Sequence, residues 1–170
     1  MALTRVNFAG QGQNVLQSSS MPTGTVLQTL SMNSNVNTAH QSLSYTDTNL
    51  TLAITPSATS SKILVIPSFS VRAYHTSYNS WGRIALYRGS TLVCTRDVNT
   101  DGGNNVRWAT VPSGFTHLDS PSTTSATTYL IKCKLLYTNY SAQIDIGEFK
   151  DESTNDETNQ QSFTLMEIKG

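Results

Sequence analysis

The run Lys62-Ile63-Leu64-Val65-Ile66-Pro67-Ser68-Phe69-Ser70-Val71 constrains the fold more than any other stretch of this chain. Ile63 to Ile66 are apolar without interruption, and three of the four are β-branched, the class that fits a pleated strand. Successive side chains of a strand point to opposite faces, so this strand is apolar on both. It needs cover on each side, either from two layers of its own core or from its own core and a partner subunit. From Ser68 the pattern alternates, with Phe69, Val71 and Ala73 against Ser68, Ser70, Arg72 and Tyr74, which predicts a half-buried continuation.

A second strand of the same kind closes the sequence. In Phe163-Thr164-Leu165-Met166-Glu167-Ile168, Phe163 and Leu165 face one way while Met166 and Ile168 face the other. It is either central in the domain or covered on its second face by another chain. Symmetric homo-oligomers are common among soluble assemblies, which favours the second reading. The expected oligomer interface therefore includes Leu64, Ile66, Met166 and Ile168.

The rest of the chain also reads as strand. Residues 25–32 alternate, with Val26, Leu30 and Met32 on one side; 33–41 is a polar loop; a short segment spans 43–47. Leu50, Leu52 and Ile54 then oppose Thr51, Ala53 and Thr55. A Pro-Ser-Ala-Thr-Ser-Ser turn leads into the central strand. Arg88-Gly89-Ser90 is a tight hairpin turn between 81–87 and 91–95, because glycine supplies the positive φ such turns need. A turn at 97–105 precedes a strand over 106–116, which Leu118-Asp119-Ser120-Pro121-Ser122 breaks. The longest alternation, 127–137, places Tyr129, Ile131, Cys133, Leu135 and Tyr137 against Lys132 and Lys134, and 140–146 answers it across a short turn. An acidic, structureless insertion, 148–161, precedes the last strand. No stretch shows helical spacing over three turns. About ten short strands at this spacing predict an all-β, antiparallel two-sheet sandwich of the jelly-roll type over residues 24–170.

Residues 1–23 differ from the rest. They are rich in Gly, Gln, Asn and Ser, and their isolated Val6, Phe8, Val15 and Leu16 are too sparse for a core. They form either an extended arm that orders on a neighbouring protein or a loose terminus. As an arm, those four apolar residues are its attachment points.

Lys plus Arg and Asp plus Glu are 11 each, so no basic surplus exists to exchange counterions with phosphates, and nucleic-acid binding is not expected. Charged residues are only 13%, and a surface with so little self-repulsion suits packing against copies of itself. No run approaches the roughly 18 apolar residues of a membrane span, so membrane insertion is not expected. Met1-Ala2-Leu3-Thr4-Arg5 lacks a signal-peptide core, which predicts synthesis and folding in a cytoplasm. Cys94 and Cys133 read as buried thiols rather than a disulfide.

Candidate chemistry is thin. Asp97-Val98-Asn99-Thr100-Asp101-Gly102 matches the first half of a calcium loop, but position twelve is Trp108 where a bidentate Glu is needed. A hairpin turn explains the same residues. His40, His75 and His117 are scattered, and His117 with Asp119 lacks a nucleophile elbow. Glu148, Asp151, Glu152, Asp156 and Glu157 lie in a polar loop of solvated composition. The expectation is no enzyme, no metal and no cofactor. Tyr74, Tyr78, Trp81 and Tyr87 cluster, with Trp81, Arg83 and Tyr87 on one non-core face. Exposed aromatics fill subunit interfaces or stack on sugar rings, and the two-faced strands favour the interface for Trp81 and Tyr87.

Four segments carry a family resemblance: Pro56-Ser57-Ala58-Thr59-Ser60-Ser61-Lys62-Ile63-Leu64-Val65, Leu86-Tyr87-Arg88-Gly89-Ser90-Thr91-Leu92, the stretch from Leu118-Asp119-Ser120-Pro121 to Thr128-Tyr129, and Thr164-Leu165-Met166-Glu167-Ile168-Lys169-Gly170. In this order and spacing, over residues 24–170, the chain resembles virion structural proteins of tailed bacteriophages of the fibre and knob type, especially those of marine cyanobacterial phages. Its strand order is also similar to the trimeric C1q/TNF-type jelly roll, a likeness of fold and not of function. The resemblance implies a non-enzymatic virion component, a homotrimer, with the N-terminal arm attached to the major capsid or tail protein. A fibre-tip module recognising host surface glycan is the alternative.

Overall fold

Ser, Thr and Asn compete with the backbone for hydrogen bonds and disfavour helix, whereas the recurring Val, Ile, Thr and Tyr suit strands. In the computed structural model, which describes residues 20–74, 80–100, 108–137, 142–149, 157–158 and 160–170, the described chain is strand without α-helix. The strands are β1 (Val26–Ser34), β2 (Thr38–His40), β3 (Thr46–Ile54), β4 (Lys62–Tyr74), β5 (Ser80–Arg88), β6 (Thr91–Thr100), β7 (Trp108–Gly114), β8 (His117–Asp119), β9 (Thr127–Leu135), β10 (Gln143–Ile146), β11 (Glu148–Phe149), β12 (Glu157–Thr158) and β13 (Gln161–Ile168). The segments beyond the expected ten are pieces of two or three residues.

One sheet runs β1-β13-β4-β10-β2, with β7 and β8 also on β4, and the other runs β3-β9-β5-β6. All pairings are antiparallel. β4, the stretch that opened the sequence reading, is the axis of the first sheet. One of its edges carries β13 opposite residues 62–68 and then β10 opposite 71–74. The other carries β8 opposite 63–65 and β7 opposite 68–74. β7 and β8 keep one register and are interrupted only opposite Pro67, which has no N–H to give a ladder.

β10 and β13 likewise form one ladder. Ile146 lies opposite Val71, Gly147 N–H donates to the Ser70 carbonyl at 2.9 Å, and Ser162 lies opposite Ser68. The chain leaves this ladder after Gly147, whose φ of +83° is a left-handed conformation, and rejoins it at Gln161. With each interrupted pair counted once and short β2 set aside, the first, eighth, third and sixth strands form one sheet and the second, seventh, fourth and fifth the other. That order is a jelly roll.

Between the sheets lies one core, with Ile63, Val65, Phe69, Val71, Ile144, Ile146, Phe163 and Leu165 from the first sheet against Leu50, Ile54, Ile84, Leu86, Tyr129, Ile131, Cys133 and Leu135 from the second. The period-2 pattern in β3, β5, β9 and β13 therefore placed the core correctly, and the Gly89 turn joins β5 to β6 with φ +55°.

Several sequence expectations need correction. The polar loop 33–41 contains β2, held as an edge strand on β10. Val26 does not share the inner face with Leu30 and Met32, because a bulge between Val26 and Gln28 turns it outward to 50% exposure. Residues 97–100 are not turn but the end of β6, paired to β5. His117 to Asp119 continues the sheet instead of breaking it. The segment 140–146 does not form a hairpin with β9; the chain crosses to the other sheet, where β10 pairs β4 and β2. Part of the acidic insertion pairs as β11 with β12.

The sandwich has two distinct ends. At one, Lys169 N–H donates to the Thr25 carbonyl and Gly24 N–H to the Lys169 carbonyl, each at 2.8 Å, so residues 20–25 are tied beside the end of β13. The β5–β6 turn lies at this end. Tyr74, Ser80, Thr100, Trp108 and Tyr137 lie at the other.

Candidate interaction surfaces

The outer face of the first sheet carries a strip of apolar side chains. Leu118, Leu64 and Met166 stand side by side across β8, β4 and β13, and Ile168 faces Val26 across β13 and β1 in the adjoining row. Ile66 follows Leu64 on the same face of β4. Leu64, Ile66, Met166 and Ile168 are half-buried, and Leu118 and Val26 are exposed by 49% and 50%. Facing pairs on a sheet lie within contact distance, so these residues form one patch. Both two-faced strands thus direct one face to the sandwich core and the other outward. The sequence brought four of these residues to notice but missed Leu118 and Val26, whose positions depend on the edge pairing of β8 and the β1 bulge.

Trp81 and Tyr87 do not join that patch. They project from the outer face of the second sheet, on the far side of the sandwich. Tyr87 meets Tyr45 edge-to-face at 5.6 Å between centroids, Lys132 stands 4.9 Å over the Tyr87 ring, and Lys134 stands 4.9 Å over the Tyr45 ring. Lys132 also pairs with Asp47 at 2.7 Å, and Arg83 grips Asp97 with two nitrogens, which holds the Asp97 carboxyl below its ordinary range. These exposed pairs are mutually neutralising and individually weak. Trp81 is different. It is 42% exposed and meets the 60% exposed Tyr137 edge-to-face at 6.0 Å, at the end of the sandwich away from residues 20–25.

The outer face of β4 does not stay half-buried along its second half, as the alternation predicted. Arg72 and Asp145 face each other across β4 and β10 and pair through Nε at 2.8 Å and Nη2 at 2.6 Å, with both residues buried. At the end where residues 20–25 are tied, Asp119 accepts from the buried Tyr129 hydroxyl at 2.6 Å and from Arg88 at 2.7 Å, linking β8 of one sheet to β5 and β9 of the other. Burial, joined by the Asp119 carboxylate, pushes the Tyr129 phenol well up. Nearby, Glu167 is 1% exposed and accepts from Ser57 N–H, Ser57 Oγ, Ser61 Oγ and Gln28 Nε2 at 2.6–2.7 Å. Burial alone would raise its pKa; the hydrogen bonds outweigh burial and lower it. Its in-phase spacing with Phe163 and Leu165 is the signal that could have marked it as an inward carboxylate.

Among the described residues, the candidate catalytic and metal groups are engaged in other contacts. Asp119 is committed to Tyr129 and Arg88, and Asp97 to Arg83. His40 bonds Thr46 through Nδ1 at 2.8 Å. Among the described residues no three His, Cys, Asp or Glu side chains stand together as a metal group. The cysteines are free, with burial pushing the Cys133 thiol up to about 12. Val6, Phe8, Val15 and Leu16, the expected arm attachment points, lie outside the described residues, as do His75, Tyr78, Asp101, Gly102, Tyr140 and residues 151–156. No protein-family model matches the chain, and no curated protein is similar to it.

Proposed function

We propose that this chain is a non-enzymatic structural component of a bacteriophage virion, a capsid knob, decoration or fibre-type protein that acts as a homotrimer. The observation that carries the self-association is the strip of Leu64, Ile66, Leu118, Met166, Ile168 and Val26, which crosses the outer face of the first sheet from β8 to β1. A contiguous apolar patch of this kind favours burial against another chain. The separation of the two ends supports the attachment half of the reading. Residues 20–25, which follow the proposed arm in the chain, are tied beside the end of β13, so attachment through that end would present the opposite one.

Light scattering of the full chain at micromolar concentration tests the assembly. A trimer is expected for the wild type and a monomer of unchanged β-sheet signature for Leu64→Asp with Met166→Asp; a monomeric wild type refutes it. Deletion of residues 1–20 should abolish attachment to capsids while preserving the fold, and attachment by the truncated protein sinks the arm reading.

A receptor-binding role is a second reading, favoured by the exposed Trp81–Tyr137 pair at the free end. Aromatic faces of this kind stack on sugar rings. Saturable binding on a glycan array that Trp81→Ala removes supports it, and no binding by the wild type refutes it.

A further inference from the structure

The point where residues 148–160 depart holds buried polar atoms without hydrogen-bond partners among the described residues. Gln161, fully buried, donates its Nε2 to the Val36 carbonyl at 2.7 Å, and Asn49 donates its Nδ2 to the same carbonyl at 3.1 Å. Asn49 Nδ2 also contacts Ser34 Oγ. The two amides therefore lie side by side, yet Gln161 Oε1 and Asn49 Oδ1 are both sealed from solvent with no hydrogen-bond partner among the described residues. Thr38 Oγ1, two residues beyond Val36 and opposite Ile146, shares this condition.

Turning Gln161 over does not help, because its carbonyl oxygen would then meet the Val36 carbonyl at the 2.7 Å position, exchanging a hydrogen bond for a repulsion. An inverted Asn49 would take the Ser34 hydroxyl as donor but set its oxygen against the Val36 carbonyl. In the orientation that keeps both bonds to Val36, two amide oxygens that accept only remain, with the Thr38 hydroxyl, able to give or accept, on the neighbouring strand. Such a cluster calls for a guest that donates two hydrogen bonds. All of its oxygens are neutral, so it offers little to offset the dehydration of a cation. The backbone has been shaped around the same point: a Cβ on Gly147 would fall on the Gln161 amide, so only glycine lets this side chain turn inward where the ladder is left.

We infer that an internal water site lies here, with one ordered water donating to Asn49 Oδ1 and Gln161 Oε1 and reached by the Thr38 hydroxyl. Buried waters characteristically make about three hydrogen bonds to polar groups left unpaired by the chain. The site ties β13 to the β1–β2 connection and to β3 at the point where residues 148–160 depart, so it positions the base of that excursion independently of any assembly.

Crystals of the full chain grown with rubidium in place of sodium test it directly. The expected result is density at about 2.7–3.2 Å from both amide oxygens and no anomalous rubidium signal there. A site that is empty while other buried waters are visible overturns the inference. So does rubidium bound in it, or amides rearranged to satisfy each other. In solution, oxygen-17 relaxation dispersion should report one long-lived water fewer in Gln161→Leu than in the wild type, and an unchanged count refutes the assignment. If that variant does not fold, the wild-type density decides alone.

Discussion

Replacing Glu167 by Gln tests the most exacting polar arrangement in the protein. Glu167 Oε1 receives three donors, Ser57 N–H, Ser57 Oγ and Ser61 Oγ, and Oε2 receives Gln28 Nε2, which also donates to the Thr55 carbonyl at 2.8 Å. In Glu167→Gln the three bonds at Oε1 survive but lose their charge assistance. Hydrogen bonds to charged groups contribute about 1.5–3 kcal/mol and neutral ones about 0.5–1.5, so roughly 1 kcal/mol goes from each. At the other position two amide nitrogens meet, and Gln28 cannot turn over without losing its bond to Thr55. Relief from burying a charge returns part of this, leaving a net loss of about 2 kcal/mol, or about 4–8 °C in Tm for a domain of this size. The pH dependence carries the sharper signature. The folded pKa of Glu167 is depressed, so its contribution is complete above the unfolded value of about 4.3 and disappears as pH falls through the folded value. Urea unfolding of both proteins at one fixed protein concentration, from neutral pH into acid, measures it. The gap should be full at neutral pH and narrow in acid. A gap that is absent at neutral pH, or that does not change with acidification, refutes the reasoning.

Three further outcomes follow from the packing around these buried groups. Gly147→Ala should cost about 2–4 kcal/mol in urea unfolding, since it combines a left-handed φ with a Cβ placed on the Gln161 amide; wild-type stability would show that the ladder exit is not constrained as described. Asp145→Ala should cost about 1.5–3 kcal/mol, because it removes the charge-assisted hydrogen bonds that two nitrogens of Arg72 give its buried carboxylate, whereas a loss below about 1 kcal/mol would mean the pair is reached by water. Cys133 should resist a thiol reagent at neutral pH until denaturant is added, its pKa having been pushed up to about 12 by burial, and rapid native-state labelling would contradict its position in the core.

Much of the fold was legible because strand periodicity is a local property. The alternations read over residues 127–137 and 162–169, the uninterrupted run Ile63 to Ile66 and the Gly89 turn each depend on near neighbours, and the strands found, Thr127–Leu135 and Gln161–Ile168, differ from that reading only at their ends. The patch residues Leu64, Ile66, Met166 and Ile168 could be named for the same reason. That Trp81 and Tyr87 lie on the other sheet was not legible, because the sheet to which a strand belongs is a matter of long-range pairing. The crossing of residues 143–146 from β9 to β4 and β2 was invisible for that reason too.

By itself, then, the sequence determined that this chain is all-β and that two of its strands are apolar on both faces, since side-chain alternation follows from backbone geometry alone. Tertiary structure decided which face meets which partner. It made β4 the axis of a jelly roll, gathered Leu118 and Val26 into the outer strip, turned Glu167 inward among hydrogen-bond donors and Gln161 inward against the Val36 carbonyl. Those outcomes rest on contacts between residues far apart in sequence, such as Leu64 with Leu118, Gln28 with Glu167 and Val36 with Gln161. No window of local sequence contains both partners of such a contact.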